Sequence, residues 1–294
     1  MFGLEGLPAL WLLLLGVVWA LYLGLGGADL GVSMLTRRFE DRTAVLRSNG
    51  ATWATNDVWL VIAVAATLGA FPGWYAAWLS ELYVLVVVIV LALIVRHAGI
   101  ELIGHVSARA GEWWSRAIVV SAWATAIGWG MVWAWMLRGG SVLSAQTVLA
   151  GVALALACRV AGAAYLERRV GVGAEARRRT VPLALVFAVL AGIALESPWT
   201  GLVVLAFVPR LALWGAGLAA AIVPLAVLAA ASPRVAGVDL RVEASGDYTL
   251  TLMTVIAALV LPLILAAHAF AYSRFKREPG SLVELMRRGM EQLR

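Results

Sequence analysis

From Leu7 to Leu35 the chain carries a single acidic or basic side chain, Asp29, and apolar blocks of comparable length recur along the rest of it. A block of about 20 apolar residues is long enough to cross the hydrocarbon core of a bilayer as a helix. In hydrocarbon each backbone N–H and C=O must be satisfied within its own segment, so such blocks form helices and not open strands. Composition points the same way, with 63% of the 294 residues hydrophobic, 14% charged and a mean hydropathy of +0.91. The expected fold is an all-α polytopic membrane protein of helical-bundle architecture, with no room for a soluble domain of ordinary size between the blocks.

The blocks predict helices near Leu7 to Leu35, Trp53 to Phe71, Tyr75 to Val95, Ser115 to Leu137, Ser141 to Leu166 and Val181 to Leu195, then a long block from Pro198 to Ala231, and a last helix from Tyr248 to Tyr272. The long block of roughly 34 residues would extend about 51 Å as one helix, well beyond a core of about 30 Å. Pro209 and Arg210 interrupt it near the middle, as a turn or kink would. Eight helices are possible, and loop charge favours nine. With the N-terminus outside, three groups face the cytoplasm: Arg37, Arg38, Arg42 and Arg47; Arg96, Arg109 and Arg116; and Arg168, Arg169, Arg177, Arg178 and Arg179. A turn at Arg210 adds a fourth, and an odd count puts the basic C-terminal tail on the same side. Residues 1–273 then form one membrane domain and residues 274–294 a cytoplasmic amphipathic tail. In that tail Ser281 and Glu284 have capping-box spacing.

The formal charge of +6 is carried in short loops beside hydrophobic segments, which is the positive-inside pattern and not a nucleic-acid footprint. The single cysteine, Cys158, lies in an apolar block and excludes an internal disulfide. The N-terminus lacks a basic region and a small-residue cleavage site, so the first block is expected to be retained as a helix.

Charges in a membrane helix cost about 2.5–3.5 kcal/mol at the bilayer centre on insertion scales, so each needs a reason. Four fall within the predicted helices: Asp29, Asp57, Glu81 and Arg159. Arg159 is close enough to the inner end of its helix to snorkel, and Glu81 lies about 9 Å into the third helix from its outer start. Asp29 and Asp57 form a pair. Each stands roughly 10–15 Å above the basic loop between the first two helices, at a rise of 1.5 Å per residue, so adjacent antiparallel helices hold them at similar depth. The glycines around Asp29 permit close backbone approach, while Trp53, Asn56 and Trp59 place two indole N–H groups and an amide near one face of the second helix. This is the chemistry of a half-channel taking protons from the cytoplasm. The same residues would also serve as a hydrogen-bonded lock on the helix hairpin.

Of the three histidines, His97 and His105 are expected in the loop after the third helix and His268 in the last helix. Haem held by two axial ligands needs them at membrane depth on facing helices, so this chain is expected to bind no haem and no metal. No Walker loop, zinc spacing or dinucleotide fingerprint is present.

The run GGADLGVSMLTRR, then ATWATNDVWL, then FPGWYAAWLSELYVLVVVIVLALIVRHAGIE, resembles the N-terminal third of subunit II of the cytochrome bd-type quinol oxidases. The last helix, within ASGDYTLTLMTVIAALVLPLILAAHAFAY, is similar to that family's C-terminal Ser-x-x-x-Leu-x-x-Met run with a later Pro. The likeness covers about half the chain. It implies a non-haem subunit of nine helices that supports a haem-bearing subunit I, a partner that would carry b-type and d-type haem, oxidise quinol and reduce dioxygen with cytoplasmic protons. It also implies a cell-membrane location in contact with lipid, and in some members a structural quinone. By position Asp29 matches the second acid of the first motif; Trp53, Asn56, Val58 and Trp59 match the second motif; Arg96 and Glu101 match the basic and acidic residues after the third helix. Glu81, Arg96 and Glu101 are expected to be structural or interface residues.

Two positions depart from the family pattern. Gly26 stands where a first acid is usual, and Ala54 where a carboxylate follows the tryptophan. Asp57 lies one helical turn beyond Ala54 and is expected to replace the missing group, working with Asp29. The competing functions are a stand-alone secondary transporter, which would also set acids beside glycine-rich helices, and a purely structural assembly subunit.

Overall fold

The computed structural model describes residues 4–49, 52–196, 222–229, 234–235 and 237–276. Five helices are long and apolar enough to cross a membrane: Gly6–Arg38, Tyr83–Leu102, Ala108–Arg138, Ala145–Val170 and Asp247–Phe270; a bent pair supplies a sixth if it is one span. The choice between eight and nine helices turns on residues 198–231, of which only 222–229 lie among the described residues. The tail beyond residue 276 also lies outside them.

Helix α1 (Gly6–Leu35) runs through the middle of the bundle. A short helix α2 (Arg42–Asn49) follows a single 3-10 turn, then α3 (Thr52–Ala70), α4 (Pro72–Glu81), α5 (Tyr83–Leu102), α6 (Ala108–Arg138), α7 (Ala145–Val170), α8 (Ala174–Ala194) and, after a two-residue β-hairpin at Arg234–Val235 and Val238–Asp239, the last helix α9 (Asp247–Lys276). α1 packs against α7, α3 and α6, and also touches α9, while α5 packs on α6 and α8 on α7.

Within a bilayer apolar side chains gain little by leaving lipid for one another, so close packing and interhelical hydrogen bonds hold the helices together. The tightest approach joins α1 to α7. A methyl group on Gly31 would stand 1.9 Å from the carbonyl oxygen of Cys158, and one on Gly162 would stand 2.2 Å from the backbone carbon of Gly31. Glycine at both positions lets the two backbones touch two residues beyond Asp29. Trp19, Tyr22, Trp129 and Trp133 form an edge-to-face cluster between α1 and α6, with centroids 5.0 to 6.1 Å apart. The Trp129 indole donates to the Tyr22 hydroxyl at 3.0 Å. Trp11 ties α1 to α9 by donating to Thr254 Oγ1 at 3.0 Å. Large apolar side chains of α5 and α9, among them Val84, Leu91, Leu259 and Leu263, point outward. Such a surface is suited to acyl chains and not to water.

The expected third helix is corrected. The sequence predicts an unbroken run from Tyr75 to Val95; instead, after a bend of 118° between α3 and α4, the chain breaks at Leu82 into α4 and α5. Pro72 has no N–H to continue the ladder and disfavours helical backbone at the preceding residue, and Phe71 adopts φ −139°, ψ 70°. The carbonyls left open at the end of α3 are taken up by the loop before α9: Ser245 donates from its backbone N to Ala70 O at 2.9 Å and from Oγ to Gly69 O at 2.7 Å. Trp74, Trp78 and Leu82 are buried in the core and anchor α4 there.

Because α5 begins at Tyr83, its end moves to Leu102. Arg96, His97 and Glu101, expected in a loop, are helical residues. Gly99 does not stop the helix; it is where α6 comes close, and a methyl group there would meet Ile118 Cγ1 at 2.6 Å. Glu81, expected within the membrane, is the exposed last residue of α4. The last helix continues through Lys276, three residues past the expected domain boundary.

Candidate proton site

Asp29 faces inward because α1 is lined on several sides, by α3, α6 and α7, so that even a residue between glycines is enclosed. It is 4% exposed, and its carboxylate accepts a hydrogen bond from the side-chain amide of Asn56 on α3, which is 0% exposed. A buried carboxylate without a donor would be costly, and this amide offsets part of that cost. One turn further along α1 the Ser33 hydroxyl donates to the Asp29 carbonyl at 3.0 Å.

Ser33 Oγ in turn accepts from Arg96 Nε at 3.0 Å. Arg96 is 2% exposed, and among the described residues no acceptor reaches its Nη2. A guanidinium does not release its proton in a protein, so Arg96 positions and compensates charge but carries nothing. Its Nη1 lies 3.1 Å from Nε2 of its neighbour His97. The same Nε2 lies 2.9 Å from Asp57 Oδ2, and these two side chains are 25% and 26% exposed. A polar seam thus runs from a partly exposed acid and imidazole to the backbone turn that carries Asp29, crossing α3, α5 and α1. Tyr22, two turns from Asp29 on α1, is buried with its hydroxyl engaged by Trp129 of α6.

The two acids therefore share a region without meeting directly: Asn56 engages Asp29, and His97 engages Asp57. Trp59 is buried against His268 of α9, with ring centroids 5.8 Å apart. The side chain of Trp53 lies outside the described residues. Glu101 is exposed at the end of α5. Arg159 donates through Nε to Thr180 Oγ1 at 3.0 Å, binding α7 to α8. At the basic end of α1, Glu112 of α6 pairs with Arg37 at 2.6 Å, with Arg116 at 3.3 Å, and with Arg42.

Sequence reasoning did not connect His97 and Ser33 to the two acids. Only the break at Leu82, which no proline or glycine marks, carries α5 through His97. No linear signal pairs a residue of α5 with one of α3.

Over residues 7–275 the chain matches the family described as cytochrome bd terminal oxidase subunit II. It is 26% identical to the cytochrome bd ubiquinol oxidase subunit 2 of Bacillus subtilis strain 168, a likeness covering 93% of this chain and 97% of that protein. It is also 26% identical to the cytochrome bd-I ubiquinol oxidase subunit 2 of Escherichia coli K12, over 68% of this chain and 58% of the relative.

Proposed function

The chain belongs to the cytochrome bd terminal oxidase subunit II family and is a membrane-embedded subunit of a bd-type quinol oxidase, and we propose that it supplies that complex with part of a cytoplasmic proton path through Asp57 and Asp29. Family membership displaces the transporter and assembly-only alternatives. The partner in this reading is a haem-bearing subunit I, holding b-type and d-type haem, where quinol is oxidised and dioxygen reduced; a structural quinone belongs to the same reading.

The histidines of this chain suit that division. His97 is engaged by Asp57 and Arg96, His105 is exposed in the turn after α5, and His268 packs on Trp59. They sit in three different settings, so the chain's own residues are better read as proton handling than as iron ligation.

The observation that carries the proposal is the enclosure of Asp29 with its Asn56 donor, reached from a half-exposed Asp57 on the same helix as that donor. Reduction of dioxygen consumes protons, and a carboxylate sheltered from lipid by α3, α6 and α7 can accept and release them without moving charge through hydrocarbon. Asp57 takes the part of the carboxylate missing at Ala54, one turn away on α3. The N-terminus-out orientation places this basic end of α1, α3 and α5 on the cytoplasmic side.

The test is quinol-driven oxygen consumption by the assembled oxidase carrying Asp29→Asn or Asp57→Asn. The expected result is turnover reduced at least about tenfold, in the range of a lost acid–base group, with haem absorbance retained. Full turnover in both variants would overturn the reading.

A further inference from the structure

His97 Nε2 faces a hydrogen-bond acceptor and a donor at once, Asp57 Oδ2 at 2.9 Å and Arg96 Nη1 at 3.1 Å. One ring nitrogen holds either a proton or a lone pair. With the proton present, Nε2–H donates to the Asp57 carboxylate. With it absent, Nε2 accepts from Arg96 or from a protonated Asp57. A single proton therefore has two seats 2.9 Å apart, and passing between them requires no displacement of either side chain.

We infer that His97 and Asp57 act as one proton-sharing pair, the uptake point of the path proposed above, on which this inference rests. In the transfer step H⁺ leaves the imidazolium Nε2 for the Asp57 carboxylate, giving a neutral imidazole and a neutral acid. No electron moves and no heavy-atom bond changes. The charged and titratable groups around the pair belong to its neighbours. Arg96 flanks it on α5, Tyr22 and Asp29 lie on α1, and the α6 carboxylate Glu112 is already held by Arg37, Arg42 and Arg116. Arg96 is fixed in place by Ser33 and keeps its own protons, so it cannot follow the transferred one. The pair's partial exposure, about a quarter of each side chain, gives it access to the water from which protons come, whereas Asp29 has almost none. Neither Asp57 nor His97 occupies a position fixed by the family motifs, so this chain would have built a new entry where Ala54 removed the usual acid.

The experiment is His97→Ala in the assembled oxidase, with added imidazole, beside His97→Gln and Asp29→Asn. Turnover of His97→Ala should fall about tenfold or more with haem absorbance kept. Imidazole should restore it in part, and the pH–rate profile should shift with the pKa of whichever imidazole derivative is added. His97→Gln, which keeps a donor towards Asp57 but no mobile proton, should stay slow. Unchanged turnover in His97→Ala, loss of turnover with neither rescue nor a changed pH profile, or full activity in His97→Gln would each overturn the pair. If His97→Ala does not assemble, His97→Gln decides: slow turnover with an altered pH profile supports the pair, while full activity or failure to assemble marks His97 as a structural lock. Slow Asp29→Asn beside fast His97 variants would remove the pair and leave the path standing, whereas full speed in all three would remove the path as well.

Discussion

Arg96 donates from Nε to the Ser33 hydroxyl at 3.0 Å, which fixes a buried guanidinium of α5 against the backbone turn that carries Asp29. The guanidinium at 2% exposure has polar neighbours on both sides, His97 on one and, through Ser33, the turn of Asp29 on the other.

Arg96→Met should accordingly cost about 1.5–3 kcal/mol, the range for a hydrogen bond to a charged group. The measurement is the yield and thermal midpoint of the assembled, haem-containing complex. Adding Ser33→Ala to Arg96→Met should cost less than the sum of the two separate changes, because both remove the same hydrogen bond. Strict additivity of the two changes would show that Arg96 and Ser33 are not coupled.

Asn56→Leu keeps the branching and heavy-atom count of the side chain but takes the amide donor from Asp29. The expected destabilisation is about 1–3 kcal/mol, the penalty of a buried polar group left without its bond. Turnover should also fall, since Asp29 loses the group that orients it. A variant as stable and as fast as the parent would mean that the amide is incidental.

Gly162→Ala places a methyl group 2.2 Å from the backbone of Gly31, and neither helix has a side chain there that can swing aside. Overpacking of this kind costs about 1–3 kcal/mol, here by prising α7 from α1. Gly171→Ala, at the left-handed C-cap of α7 with φ +75° and open space around it, should act through backbone strain alone and leave the α1–α7 contact intact. Cross-linking of cysteines introduced across the α1–α7 seam separates the two, with weakened cross-linking expected only in Gly162→Ala.

Outside the membrane-spanning helices, Asp239 caps the short turn before α9. Hydrogen bonds from the Arg241 side chain and backbone hold its carboxyl below the ordinary value of 3.8. A depressed pKa in the folded state means stabilisation that is complete above the unfolded value and is lost as pH falls through the folded one. Thermal midpoints of parent and Asp239→Asn should therefore differ by a constant amount from pH 5 to pH 8 and converge below pH 4. Arg241 is half-exposed and the pair lies at the surface, so the difference is small and shrinks in high salt.

The class of the fold was legible in the apolar blocks, since backbone hydrogen bonding in hydrocarbon leaves a long apolar segment little choice but helix. Asp29 and Asp57 stood out for a related reason: a charge is expensive there and so conspicuous. The turn before the third helix was legible and the break within it was not. Pro72 signals a bend, but its 118° and the second break at Leu82 depend on where Trp74 and Trp78 find their core. Arg96 and His97 were misplaced for the same reason, because shifting the start of α5 from Tyr75 to Tyr83 moves its far end from Val95 to Leu102.

By itself the sequence determined that this is a helical membrane protein and that Asp29 lies inside it, because hydrophobicity and spacing along one chain are local quantities. Partnership was decided elsewhere. Asn56 rather than Asp57 reaches Asp29, and Asp57 turns to an imidazole on another helix. Those choices depend on how α1, α3 and α5 are rotated about their axes, and that rotation is set by contacts such as Gly31 on Gly162 and Gly99 on Ile118, which exist only once the bundle has closed.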